Sequence, residues 1–181
     1  MQENIALVQN GFRILLPDMA GYICRELSRV YKNSWWQEVL TALSDQYDLP
    51  SSGEYAELQD SLDVANCLRL IDRRWNDVFR SKLSKDYRTW ATELMGVRNK
   101  VAHLGMQDIA QADAERALDT MARLCDGFDS DGAEEIRALY RKLRYGSEDA
   151  STSSAPAKET TPTGKSKTVA AVLGRHVGEN L

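Results

Sequence analysis

Residues 84–105 read SKDYRTWATELMGVRNKVAHLG, and this stretch predicts a long helix with a defined beginning and end. Ser84 is a favoured N-cap residue, and Gly105 suits the position just beyond a helix C-terminus. Between them, apolar residues recur at the spacing of one helical face: Tyr87, Trp90, Ala91, Leu94, Val97 and Val101. The stretch therefore predicts an amphipathic helix that packs against other helices.

The rest of the first 145 residues carries the same helical periodicity. Further helices are predicted over roughly 3–31, 35–40, 61–83, 112–128 and 133–145. The first is predicted to bend or restart at Pro17, because proline fits the first turn of a helix. Period-two alternation of β-branched residues is missing. The predicted fold class is all-α: an antiparallel, up-and-down bundle of four main helices with short accessories.

The composition changes at Gly146. Residues 147–168 are rich in Ser, Thr, Pro and Ala and lack large apolar side chains, which predicts a disordered linker. The apolar stretch VAAVLGRHVGENL follows over 169–181 and is too short to fold alone. We therefore expect a helical domain over 1–146, a linker, and a tail that docks elsewhere or begins a further domain.

Charge and cysteine usage narrow the class of protein. The formal net charge is -4, and residues 147–181 hold equal numbers of acids and bases, so the helical domain carries all of it. An acidic domain argues against general coating of nucleic acid but permits a local basic site. Three scattered cysteines, Cys24, Cys67 and Cys125, are predicted to be reduced core residues. Neither a signal peptide nor a membrane span is visible, which predicts a cytosolic protein.

Arg98 and His103 are the residues that suggest chemistry. Five positions separate them, so on a helix they point about 140° apart. Asn99 and His103 are four apart and share a face, so the amide can orient the ring. Imidazole exchanges protons near neutral pH, and guanidinium matches phosphate oxygens. The pair can therefore serve an RNA phosphodiester if two chains face each other, or it can be two ordinary cations at a helix end.

Further cations are candidates for contacts with RNA. Arg69, Arg73 and Arg80 fall within about 40° of one another on the predicted 61–83 helix. They form either a solvated face or a track for phosphates, and Lys100 is a fourth candidate. No phosphate-binding loop, zinc-ligand spacing or nucleophile elbow appears. We therefore predict no metal and no cofactor.

The segment RNKVAH at 98–103 resembles the R-x4-6-H motif of the HEPN superfamily, with a polar residue after the arginine. The likeness extends beyond the motif, over roughly residues 4–145. The stretch GFRILLPDMAGYICRELSRVYKNSWWQEVL is similar to the opening of Swt-type HEPN domains, and DAERALDTMARLCDGF is similar to the helix that follows their motif helix.

The resemblance implies a bundle that dimerises through the motif helices and shares a metal-independent endoribonuclease site between two chains. It implies Arg98 and His103 as the catalytic pair and Asn99 as the accompanying polar residue. Such domains occur in toxin–antitoxin, phage-defence and RNA-processing proteins, often with an ATPase or helicase part, so an antitoxin or such a partner is expected. Two alternatives stay open: a non-catalytic HEPN module for RNA or nucleotide binding or dimerisation, and a structural protein with an incidental motif.

Overall fold

Helices account for all the regular secondary structure of the computed structural model, which describes residues 3–46, 48–105 and 107–152, with side chains as far as residue 146. The described residues contain no strand, so the all-α prediction is confirmed. The α-helices are α1 (Glu3–Tyr31), α2 (Trp35–Ala42), α3 (Tyr55–Asp60), α4 (Val64–Arg73), α5 (Lys85–His103), α6 (Gln111–Asp126) and α7 (Gly132–Thr152).

Helix α1 is the central element of the bundle. It packs against α2, α3, α4, α6 and α7. Its inner face is a row of side chains spaced four residues apart and fully buried: Leu15, Met19, Ile23 and Leu27. The helix continues through Pro17, so the restart proposed there does not occur. Pro17 is exposed, and its missing N–H therefore leaves no unpaired group in the core.

The segment predicted as one helix over 61–83 is two elements. Helix α4 ends at Arg73, and a π-helical turn follows from Trp75 to Phe79. In that turn the Arg80 N–H donates to the Trp75 carbonyl at 2.8 Å, five residues back. The wider turn keeps Trp75, Val78 and Phe79 buried, but it shifts every later residue away from the regular helical phase.

Helix α5 runs antiparallel to both of its main neighbours. On the α4 side, Asp72 pairs with Arg88 near the start of α5, whereas residues 63 and 64 share a groove with residues 98 to 102. On the α6 side, Glu93 pairs with Arg116, and Lys100 pairs with Asp113. The antiparallel arrangement of the prediction is therefore present around α5.

Helix α5 is less buried than its periodicity predicts. Only Ala91 and Leu94 are fully buried, and the other members of the predicted stripe (Tyr87, Trp90, Val97 and Val101) are half-buried. The wheel pattern identified the inward side correctly. It could not show that this helix lies at the surface of the bundle, with apolar side chains still partly open to solvent.

Buried thiols and tryptophans complete the core. All three cysteines are free and buried, as predicted. Burial raises the pKa of the Cys24 thiol to about 12. Trp35 and Trp36 are both buried, and the Trp36 Nε1–H donates to the Pro50 carbonyl at 2.8 Å, so both rings serve packing.

The predicted domain end at residue 146 falls inside a helix, because α7 continues to Thr152. The part of the predicted linker from 153 to 168, and the predicted tail at 169–181, lie outside the described residues.

Candidate functional site

The motif occupies the C-terminal half of α5. The helix begins after Ser84, and His103 is its last residue. Leu104 is the C-cap, and Gly105 follows with φ +56°, a left-handed conformation that favours glycine. Both predicted ends of the helix are therefore confirmed, and the Gly105 stop puts His103 in the final turn, at the surface.

Arg98 and His103 do not come together within one chain. Arg98 is half-buried on the side of α5 that faces α1 and α4. Its Nη1 atom lies 3.4 Å from Asn99 Oδ1, which is a long contact for a hydrogen bond. The His103 side chain is exposed and makes no hydrogen bond or ion pair within the described part of the chain. Asn99 is exposed on the same side of the helix as His103.

Arg98 lines a groove of about 340 Å³, and we call it the Arg98 groove. Its lining comes from α1, α5 and the N-terminal end of α4. The lining residues are Gln9, Phe12, Leu16, Asp63, Val64, Arg98, Val101 and Ala102. The groove is mainly apolar, with one guanidinium, one carboxylate and one amide among its polar groups.

Lys100 is directed away from that groove, toward α6. Its Nζ lies 2.7 Å from Asp113 Oδ2, and both side chains are about half exposed. The pair borders a second groove, of about 310 Å³, between α5 and α6. An exposed ion pair of this kind holds its partners weakly. Lys100 is therefore a cation with a carboxylate neighbour that any incoming phosphate has to displace.

The three arginines predicted to form one stripe do not extend the motif. Arg73 makes a two-pronged contact with Asp45, at 2.7 and 3.2 Å, and also donates to the Ala42 carbonyl. Hydrogen bonding to Arg73 lowers the pKa of Asp45 to about 2. Arg69 precedes the π-helical turn and Arg80 follows it, so the single face assumed for a regular helix is broken.

Arg73 also lies far from His103. Asp72, next to Arg73, contacts Arg88 near the start of α5. Arg88 and His103 are fifteen residues apart on one helix, which corresponds to roughly 22 Å along its axis. The structure thus brings Arg98 together with α1 and α4, and leaves Arg73 near the opposite end of α5.

The loop after the motif is tied to the start of α1, which the sequence did not indicate. The Asp108 carboxylate accepts the N–H groups of Asn4 at 3.1 Å, Ile5 at 2.9 Å and Ile109 at 3.0 Å. The Asn4 side chain returns a bond to the Ile109 carbonyl at 2.8 Å. Desolvation opposes ionisation of Asp108, but these backbone donors outweigh it and lower the pKa of the carboxyl.

The described residues form neither a metal site nor a membrane-spanning helix. They contain no group of three or more His, Cys, Asp or Glu side chains arranged to hold a metal ion. Among the same residues, no helix combines the length and the apolar character that crossing a bilayer requires.

The helical bundle and the motif on α5 point to one protein family. The sequence profile of the Swt1-like HEPN family matches residues 10–129, which include the whole of α5 and most of the bundle. The chain belongs to this family, as the motif at 98–103 predicted. No curated protein and no solved structure matches the chain. Family membership supports a role as an RNase or RNA-binding module.

Proposed function

We propose that this protein is a metal-independent endoribonuclease that cuts single-stranded or loop RNA at a site shared by two copies of the chain. Arg98 and His103 are the catalytic pair, and Asn99, one turn before His103 on the same face, is the polar residue that accompanies them. The observation that carries the proposal is the state of the cations on α5. Arg88 and Lys100 each pair with a carboxylate, whereas within the described residues Arg98, His103 and the first-turn Lys85 do not, and of these three only Arg98 and His103 belong to the motif.

The proposed reaction uses proton transfer by His103 and the positive charge of Arg98. His103 takes the proton of the ribose 2′-hydroxyl, and the 2′-oxygen attacks phosphorus. The bond from phosphorus to the 5′-oxygen breaks, and imidazolium returns a proton to that leaving oxygen. The products are a 2′,3′-cyclic phosphate and a 5′-hydroxyl end. Arg98 stabilises the negative charge that develops on the non-bridging oxygens, because its guanidinium matches two of them at once.

A second copy of the chain can bring an Arg98 and a His103 to the same phosphate, although the two side chains point apart on their own helix. On one helix they point about 140° apart, so a single chain cannot direct both at one phosphate. In a two-fold dimer through α5, Arg98 of one copy approaches His103 of the other. The half-buried Val97 gives this helix apolar surface beside the Arg98 groove that a partner can cover. We place the activity in the cytosol, in a defence, toxin–antitoxin or RNA-processing system.

The test is RNA cleavage in excess EDTA by wild type, Arg98→Ala and His103→Ala. We expect cleavage by wild type and a loss of about 10²-fold to 10⁴-fold in either variant. Arg123→Ala is a matched control, since Arg123 is an exposed arginine whose ion partner is Asp119 on its own helix. Undiminished cleavage by His103→Ala would refute the assignment. RNA binding without any cleavage by wild type would instead favour a non-catalytic RNA-binding module.

A further inference from the structure

The Arg98 groove holds opposite charges that do not touch. Arg98 and Asp63 both line it, yet no ion pair joins them within the described residues. Asp63 is the N-cap of α4, and its Oδ1 accepts the Asn66 N–H at 2.7 Å. Its other oxygen, Oδ2, makes no hydrogen bond to the described residues. The groove therefore offers a cation and a free acceptor with space between them.

The walls between these two charges are apolar. Phe12 and Leu16 of α1 form one side, and Val64 and Val101 contribute from α4 and α5. A cavity of about 340 Å³ falls in the size range of small-ligand sites, which combine apolar walls with a few placed polar groups. A ligand that fits is flat and mostly apolar, with an anionic group at one end and hydrogen-bond donors at the other.

We infer that the Arg98 groove is a nucleobase subsite that selects a base carrying an exocyclic amino group, beside the phosphate bound by Arg98. This inference rests on the proposed function and adds a substrate preference to it. The ionised Asp63 carboxylate only accepts hydrogen bonds, so it matches the amino groups of guanine, adenine and cytosine. Uracil has no amino group: its single ring N–H lies between two carbonyl oxygens, and the carboxylate repels them.

Guanine should fit best among the amino-bearing bases. Its ring N–H and its amino group are adjacent donors, so one can bond to Asp63 Oδ2 and the other to the second lone pair of Oδ1, beside the Asn66 N–H. Gln9 adds an amide at the groove whose N–H group can reach a base carbonyl. Preference at this subsite then becomes a preference for the nucleotide next to the cut.

The variant that isolates this role is Asp63→Asn. Asparagine is as good an N-cap as aspartate, so the start of α4 is retained. The amide replaces an acceptor-only carboxylate with a group that also donates, so it can serve the uracil carbonyl. Asp60→Asn is the matched control, because Asp60 is an exposed aspartate at the end of α3 that does not line the groove.

The experiment is titration of the whole chain with the four 3′-mononucleotides at one ionic strength, followed by NMR. We expect wild type to bind the guanine, adenine and cytosine nucleotides about fivefold more tightly than the uracil nucleotide. Asp63→Asn should remove this difference, Arg98→Ala should weaken all four, and Asp60→Asn should change none. Equal binding of the four by wild type, or an unchanged preference in Asp63→Asn, would overturn the inference.

The two experiments distinguish an error in the proposed base subsite from an error in the proposed nuclease activity. The titration needs no cleavage, and cleavage in EDTA needs no base preference. Cutting without preference in both wild type and Asp63→Asn overturns only the subsite. Selective nucleotide binding by a wild-type chain that cuts no RNA supports the subsite and rejects the proposed reaction.

Discussion

The carboxylate of Asp108 shows how one residue supports both the fold and the motif. It accepts N–H groups from the first turn of α1, which otherwise lack partners because the first N–H groups of a helix have none within the helix. Asp108 lies five residues after His103, so the same bonds hold the loop that leaves the motif helix. A cap supplied from more than a hundred residues away is invisible to local sequence patterns.

We predict that Asp108→Ala lowers the free energy of unfolding by about 1 kcal/mol at pH 7, as loss of a helix cap does. The pKa of Asp108 is lowered in the fold, so its ionised form contributes stability that is complete above the ordinary aspartate pKa. That contribution is lost as pH falls through the lowered value. Denaturant unfolding of wild type and variant from pH 7 to pH 3 checks both points.

Asp113→Ala is the control for this experiment, because it removes an exposed carboxylate whose partner is a lysine. A gap between wild type and Asp108→Ala that stays constant down to pH 3 would mean that ionisation of Asp108 does not contribute to stability.

Gly96 and Gly11 both lie within helices, but the space around them differs. Gly96 is exposed in the middle of α5, and a Cβ added there meets nothing within 4 Å. Gly11 lies in α1 where α6 approaches, and an added Cβ would come within 2.8 Å of Leu118 Cδ2 and Met121 Sδ. Intrinsic helix propensity favours alanine at both positions, and only packing distinguishes them.

We predict that Gly96→Ala raises the free energy of unfolding by about 0.5–1 kcal/mol, because alanine restricts the unfolded chain and suits a helix. Gly11→Ala should lower it by about 1–3 kcal/mol, because the methyl group displaces the fully buried Leu118 and Met121 side chains of α6. Urea unfolding of both variants measures the difference. A loss of stability in Gly96→Ala would show instead that another surface, such as a second copy, covers this part of α5.

At the scale of the whole molecule, a site shared by two chains predicts that mixed dimers of two inactive variants recover cleavage activity. If Arg98 of one copy serves His103 of the other, a dimer of an Arg98→Ala chain and a His103→Ala chain contains one intact site. Random mixing makes half of the dimers mixed, so about a quarter of the wild-type sites return. Cleavage in EDTA after unfolding and refolding the two variants together, against each refolded alone, measures the recovery.

No recovery from a mixture whose dimers form normally would place Arg98 and His103 in the same chain's site. A chain that sediments as a monomer at the concentrations where it cuts RNA would exclude a shared site altogether.

Local sequence patterns were sufficient to predict many of the structural features of this protein. The Ser84 and Gly105 signals predicted both ends of α5, the spacing of apolar residues predicted which side of α5 faces the bundle, and the motif at 98–103 predicted the family. These features depend on residues within one or two turns of each other, or on a short string of residue types. The physical causes are helical periodicity and the left-handed backbone of Gly105, and both act at short range along the chain, whereas Ser84 occupies the N-cap position without a capping hydrogen bond from its side chain.

Tertiary structure decided what depends on distant residues. The π-helical turn after α4 broke the predicted arginine stripe, because burying Trp75, Val78 and Phe79 outweighed regular helical phase. The Asp45 partner of Arg73, the Asp108 cap on α1 and the groove that Asp63 and Arg98 both line each join segments far apart in sequence. The sequence by itself determined the all-α class, the ends of α5 and the motif, whereas packing divided the 61–83 helix and determined which charges are paired and which groove Arg98 lines.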